Sequence, residues 1–228
     1  MTRLRDQLRQ QMVDIGNIMY KRGYVVATDG NISVRIGKDA VLITPSGVAK
    51  GTMEPSDIVI MSLCGKKLSG KHKPSSEYKL HLAVYSKRPD VQAVIHAHPP
   101  LCTALTLAGV ALDKPLLPEV VLALGYIPTA PYGTPSTDEV PRSIEPYIAT
   151  CDAILMERHG SVTVGVSLTD AYNKLEKLEH YAQTVIHAMQ IGSVQPISPE
   201  NIEKLSAMRE SYRSHIRKQA SHNKIDNS

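Results

Sequence analysis

Residues 94–100 read VIHAHPP, and two histidines of this stretch, His96 and His98, have a type and spacing that suggest chemistry. Side chains at i and i+2 of a strand project to one face, so both imidazoles can reach one ion at about 2.0–2.1 Å. The same pair also reads as two hydrogen-bonded histidines at a strand end. A third histidine, His159, precedes Gly160 at the end of another apolar run, AILMERHG. Three imidazoles are a common catalytic zinc set, with one position left for a carboxylate, water or substrate. His180 and His187 fall on a helical stretch and His215 and His222 in a basic tail, where surface or packing roles are expected.

PSSE, residues 74–77, is the second informative stretch. Proline followed by small hydroxyl residues is a helix-start signal, in which Ser75 or Ser76 caps and Glu77 favours the helix dipole. The same features make an anion site of free N–H groups and two hydroxyls, with Glu77 beside it as metal ligand or general base. His81 lies one turn on and is expected to pack or to support the site from behind. DGNIS (29–33) and TPSG (44–47) carry glycines with Asn, Ser and Thr, which serve as plain turns or as backbone concavities for phosphate.

The elements that must position these residues follow from periodicity. Leu4, Leu8, Met12, Ile15 and Met19 mark an amphipathic helix ending near Gly23. Ile32, Val34 and Ile36 alternate as in a strand, and 41–43 and 58–61 read as two more. A helix is expected over 76–87, a buried strand through VQAVIHAH, and a helix through LCTALTLAG. Residues 119–125, EVVLALG, are ambiguous between helix and strand. Proline pairs between 117 and 135 suggest an ordered irregular connection. A helix capped by Thr137 or Asp138 runs to Ile148. Two strands flank His159-Gly160, and the longest helix is expected over 169–189.

The chain has 228 residues, enough to bury one core, and a net charge of +4, which suits an anionic small substrate. No aromatic interleaving supports base stacking, so no nucleic-acid partner is expected. The segment MTRLRDQLRQ places charges where a signal peptide needs an apolar core, and no apolar run approaches the roughly 20 residues that span a bilayer. Three separated cysteines argue against a disulfide framework. A soluble cytoplasmic protein without a membrane partner is the expectation. One domain over 1–228 is expected, with a flexible tail from about residue 215.

GNIS (30–33), TPSG (44–47), PSSE (74–77), HAHP (96–99) and RHG (158–160), in this order and followed by a long helix, resemble the class II aldolase/adducin family. Each motif is weak alone; the ordered set, over roughly residues 8–190, is specific. The resemblance implies a three-layer α/β/α fold with a central, mostly antiparallel sheet, in a homotetramer with active sites between neighbouring subunits. It implies that Glu77, His96, His98 and His159 bind a divalent metal, usually Zn2+, and that Asn31, Ser46, Gly47, Ser75 and Ser76 hold a substrate phosphate. The implied activity is cleavage of a ketose 1-phosphate, of L-fuculose 1-phosphate or 5-deoxypentulose 1-phosphate type, to dihydroxyacetone phosphate and an aldehyde. Glu77 then also moves the proton at the nucleophilic carbon.

The chain departs from the family's aldolases in one place. Those of fuculose type carry a tyrosine in the connection after the HxH motif, where this chain has LLPEVV with Glu119; the family's methylthioribulose-1-phosphate dehydratases place a glutamate near this point, and some archaeal-type aldolases a Pro-Glu. Glu119 is thus either a second acid/base or a plain surface carboxylate. A sugar-phosphate dehydratase of methylthioribulose-1-phosphate type, an epimerase or a decarboxylase on the same scaffold is the alternative activity, and a non-catalytic adducin-like module the least favoured. Valines stand where the epimerases carry an aspartate. Tyr212, near the C-terminus, is a candidate to reach a neighbour's site.

Overall fold

The computed structural model describes residues 2–225. Its elements are α1 (Thr2–Lys21), β1 (Asn31–Ile36), β2 (Ala40–Ile43), a 3-10 turn (Pro55–Asp57), β3 (Val59–Ser62), β4 (Lys67–Ser69), α2 (Tyr78–Lys87), β5 (Ala93–Ala97), α3 (Pro100–Leu107), α4 (Pro118–Ala123), β6 (Thr129–Ala130), α5 (Glu139–Ile148), β7 (Ala153–Met156), β8 (Gly160–Gly165), α6 (Leu168–Ile191) and α7 (Pro199–Ile225). The strands form one sheet in the order β4-β3-β2-β1-β5-β8-β7-β6. Among these pairings only β6 with β7 is parallel.

Strand β5 is central and buried on both faces, which is why its sequence is nearly all apolar. Its side chains alternate between two cores. Ala93, Ile95 and Ala97 pack with Met12, Ile15 and Met19 of α1 and with Leu175 of α6. Val94 faces the other way, with Leu80 and Val84 of α2 and Ile144 and Ile148 of α5. A third cluster joins Cys102 and Leu105 of α3, Leu124, Leu155 of β7 and Leu178 of α6. The result is the expected three-layer α/β/α arrangement. The period of two assigns His96 to the face of Val94, toward α2.

One ambiguity is resolved and two expectations are corrected. Residues 118–123 are helical: Pro118 supplies the fixed φ of a first turn, and Val120, Val121 and Ala123 bury one side. Helix α7 is the longest, at 27 residues against 24 for α6. It lacks a strong apolar stripe and docks through arginines instead, Arg209 Nη2 donating to Leu124 O at 2.9 Å and Arg213 pairing with Asp152 at 3.3 Å. Tyr212 lies on this helix and lines a crevice with Arg88, Asp152 and Lys174 of its own chain. His98 follows β5 rather than ending it, and its N–H donates to Tyr24 O at 2.9 Å. The expected tail from about residue 215 lies partly outside the described residues; within them α7 continues to Ile225. Among the described residues no helix is long and apolar enough to cross a membrane, and the three cysteines are unpaired.

Asp152, 2% exposed, ties this end of the layers together. Its carboxylate meets Arg88 Nη2 at 2.9 Å, Lys174 Nζ at 3.2 Å and Arg213 Nη2 at 3.3 Å. Burial alone would raise its pKa, but Lys174, Arg213 and Arg88 together hold it below the ordinary 3.8. A depressed folded pKa means stability that is fully present above the unfolded value and lost as pH falls through the folded one. Asp152→Ala leaves three cations around an emptied centre and is expected to cost about 3–5 kcal/mol at neutral pH, read from urea unfolding. The difference from the parent should shrink as pH is lowered below about 4; a constant difference down to pH 2 would refute the electrostatic account.

Candidate active site

The register of the sheet brings the chemical residues together. Asn31 of β1 pairs directly with His96 of β5, and His96 pairs with Val162 and Ala97 with Ser161 of β8. His159 sits in the tight turn between β7 and β8, where Arg158 takes a left-handed φ of 56°. Gly160 allows that turn to lie against β5, since a Cβ there would be 2.3 Å from Ala97 O and 2.8 Å from His98 Cδ2. From the other side, α2 begins at Tyr78, and Glu77 precedes it without capping it. Ser75 Oγ accepts the Glu77 N–H at 3.3 Å instead, leaving the Glu77 carboxylate to project elsewhere.

It projects at the three imidazoles. One ligand atom from each of Glu77, His96, His98 and His159 lies within 4.8 Å of every other. Glu77 Oε2 is 3.0 Å from His96 Nε2, and Glu77 Oε1 is 3.4 Å from His159 Nε2. His98 Nε2 is 3.0 Å from His96 Nε2. The tautomer of His96 is set behind the site: its Nδ1 meets Ser161 O at 2.9 Å, and a carbonyl only accepts, so Nδ1 carries the hydrogen. In the neutral ring Nε2 then offers a lone pair to a carboxylate oxygen and to a second imidazole nitrogen. One proton can bridge only one of these contacts; a divalent cation satisfies all of them.

The electrostatics agree. Burial, then the proximity of His96, pushes the His98 imidazole down to about 3, and burial and His96 push His159 down to about 4. Burial would raise the Glu77 carboxyl, but His96, His159 and the amide of Asn31 outweigh it and hold Glu77 well below the usual carboxylate range. Glu77 is therefore a carboxylate, and His98 and His159 are imidazoles that keep their lone pairs, the protonation states that metal ligands need. Glu77 Oε1 and His159 Nδ1 are buried without hydrogen-bond partners. The donor set fits a divalent ion.

The matched family model is the class II aldolase and adducin N-terminal domain, aligned with residues 10–186. The chain belongs to this family. A relative from Escherichia coli K12, 3-oxo-tetronate 4-phosphate decarboxylase, is 33% identical over 80% of this chain and 88% of its own length. L-fuculose phosphate aldolase of Methanococcus vannielii is 37% identical over 76% of this chain and 93% of that protein. Among solved structures, YgbL of Escherichia coli superposes with a TM-score of 0.83 at 30% identity, covering 89% of this chain and 99% of that one.

In this class II aldolase-family chain, the loops expected to hold phosphate adjoin the cluster. Pro45 and Pro74 form an isolated antiparallel bridge. Around it Ser46 N donates to Lys73 O and Ser75 N to Thr44 O, each at 3.0 Å. Thr44 in turn bonds to Ile32 through both its N–H and its hydroxyl. Ser46, Gly47 and Ser76 are exposed, Ser75 and Asn31 buried. Gly47 has a φ of 74° and open space around its Cα. Ser76 Oγ accepts from Ser136 Oγ at 3.0 Å.

Glu119 is not brought into the cluster. It is exposed in the first turn of α4, and no hydrogen bond or ion pair holds it among the described residues. One residue went unnoticed in the sequence. Lys50, 1% exposed, donates to Thr28 O at 2.9 Å and Val48 O at 3.1 Å, fastening the GNIS and TPSG loops together. Burial lowers its pKa to about 8, against the pull of Asp29. A lysine in a Gly-flanked loop carries no sign of burial.

Gly160→Ala tests the geometry. Its Cβ must displace either the β5 backbone or the His98 ring. Affinity for Co2+ or Zn2+ is expected to fall by about 10–100-fold, the usual cost of disturbing a ligand's support, as read by calorimetric titration. An unchanged affinity would remove the close approach from the account.

Proposed function

We propose that this protein is a divalent-metal-dependent lyase that cleaves a ketose 1-phosphate between C3 and C4, giving dihydroxyacetone phosphate and an aldehyde. The observation that carries the reading is the meeting of Glu77 and three imidazole nitrogens within 4.8 Å, beside loops rich in small hydroxyl residues. L-fuculose 1-phosphate and 5-deoxypentulose 1-phosphate are the substrate types. Zinc suits the three-imidazole, one-carboxylate set. The family supports a homotetramer with sites between subunits, and the chain's composition supports a cytoplasmic location.

Glu77, His96, His98 and His159 would hold the ion, which when bound supplies Lewis acidity to the substrate's carbonyl and adjacent hydroxyl oxygens. The hydroxyl groups of Ser46, Ser75 and Ser76 and the backbone of Gly47, with the amide of Asn31, hold the phosphate and so fix the reacting carbons relative to Glu77. One Asn31 Nδ2 hydrogen is committed to Glu77, which leaves the other for substrate. As the C3–C4 bond breaks, its electron pair passes to the three-carbon fragment; Glu77, a carboxylate at rest, takes a proton from solvent and passes it to C3 through Oε1, the oxygen without a hydrogen-bond partner. The hydroxyl on C4 must lose its proton for the aldehyde to leave. Glu119, exposed and unpaired among the described residues and outside the cluster of its own chain, is the candidate base, offered to the site of a neighbouring subunit.

A second reading is favoured by the decarboxylase of Escherichia coli K12 among the relatives. Loss of carbon dioxide from 3-oxo-tetronate 4-phosphate leaves the same three-carbon fragment, protonated to the same product, and needs no base at the leaving group. A panel of ketose 1-phosphates and the 3-oxo acid phosphate, followed for dihydroxyacetone phosphate, aldehyde and carbon dioxide, separates the two. The expected result is aldehyde release from a ketose 1-phosphate, with Glu119→Gln lowering kcat by about 10²–10⁴-fold. Product from the 3-oxo acid alone, insensitive to Glu119→Gln, would transfer the conclusion to decarboxylation; an inert, metal-loaded protein would overturn both.

A further inference from the structure

Behind Glu77 and Asn31 lies a line of buried polar side chains, Ser33, His81 and Tyr85, that the chemistry above does not use. Asn31 Nδ2 meets Glu77 Oε2 at 3.1 Å. The oxygen of the same amide accepts from His81 Nε2. His81 Nδ1 is 2.7 Å from Ser33 Oγ, and Ser33 Oγ is 2.8 Å from the Tyr85 hydroxyl. The guanidinium of Arg35 stacks on the Tyr85 ring at 4.8 Å and donates to Tyr85 O at 3.1 Å, anchoring the far end. Asn31 and Ser33 alternate onto one face of β1, and His81 and Tyr85 lie one turn apart on α2, so the line spans the sheet–helix seam.

Hydrogen-bond valence gives this line one direction. A carboxylate only accepts, so the amide must turn its NH2 to Glu77 and its oxygen to His81. His81 must then carry its hydrogen on Nε2. His81 is fully buried, and burial, then the proximity of His96, lowers it to about 3, so the ring is neutral and carries one N–H. Its Nδ1 is therefore a bare acceptor that takes the Ser33 hydroxyl hydrogen, and the Ser33 oxygen takes that of Tyr85. Each group has one orientation that satisfies its neighbours.

We propose that His81 is a positioning residue: locked as the Nε2–H tautomer by Ser33 and Tyr85, it fixes the Asn31 amide, which pins Glu77 Oε2 and leaves Oε1 free at the centre. The inference rests on the reading of Glu77 as a ligand and proton carrier. Without the His81 donor, Asn31 can rotate and the carboxylate loses its fixed approach to His96. The outer partners of metal ligands are worth about 10–100-fold in affinity.

The test is Co2+ titration of the full-length chain, followed by its visible absorption. Wild type is expected to bind, and His81→Leu to bind about 10–100-fold more weakly with an altered spectrum. His81→Gln, which keeps a donor to Asn31, should stay within about threefold of wild type. Failure of the wild type to bind would sink the metal reading itself. Wild-type binding matched by His81→Leu, in affinity and spectrum, would overturn the role of His81 alone. Imidazole nitrogen–proton correlation NMR of the wild type, with the His81 ring assigned from His81→Gln, needs no leucine variant to fold. A neutral Nε2–H ring from pH 6 to 9 is expected, and an Nδ1–H ring would overturn the proposal.

Discussion

A carboxylate oxygen and imidazole nitrogens held 3.0 Å apart need a proton or a cation among them. The fold drives them together. His96 cannot turn away, because its Nδ1–H is bound to Ser161 O across the β5–β8 ladder. Glu77 is held by the Asn31 amide. His159 is carried on a turn that Gly160 lets lie against β5. The sheet thus converges the four side chains on one point, a donor set that suits a divalent ion.

That constraint explains the polar seam under the site. Buried polar groups are costly unless each finds a partner. The face of β5 toward α2 cannot be wholly apolar once His96 lies on it. Ser33, His81 and Tyr85 supply partners in sequence, and Arg35 closes the line where the strand reaches solvent. The opposite face of the same strand, against α1 and α6, needs none of this and is filled by Ile95, Ala97, Met12 and Leu175. The two faces of β5 separate chemistry from cohesion.

Sequence patterning makes much of this legible, and its limits have physical reasons. A period of two ties His96 to His98, and a glycine after His159 marks a turn, so both histidine motifs are readable locally. Glu77 is readable as the end of a helix-start motif. What patterning cannot carry is the cross-chain join. The Pro45–Pro74 bridge links loops 29 residues apart in sequence, and Lys50 acquires its role only when Thr28 and Val48 fold around its ammonium. Residues 119–125 were ambiguous because a short apolar run fits either a helix or a strand. Helix α7 outlasts expectation because arginine-to-carbonyl and arginine-to-carboxylate contacts, not an apolar stripe, fix it to Leu124 just after α4 and to Asp152 just before β7.

The division of labour also bears on how one family can hold both aldolases and decarboxylases. Retro-aldol cleavage of a ketose 1-phosphate and decarboxylation of a 3-oxo acid phosphate both leave an electron pair on the carbon next to a phosphorylated ketone. In the proposed reading, the Glu77 cluster and the loops beside it would serve that shared fragment through carbonyl polarisation, phosphate anchoring and delivery of one proton. The reactions differ only at the departing group, where an aldehyde needs a base and carbon dioxide does not. In that reading the discriminating residues belong outside the Glu77 cluster, on segments free of its hydrogen-bond constraints. Glu119 meets that condition, exposed at the start of a six-residue helix and tied to nothing among the described residues. Specificity can change there without disturbing the His96–Ser161 and Asn31–Glu77 bonds on which the centre depends.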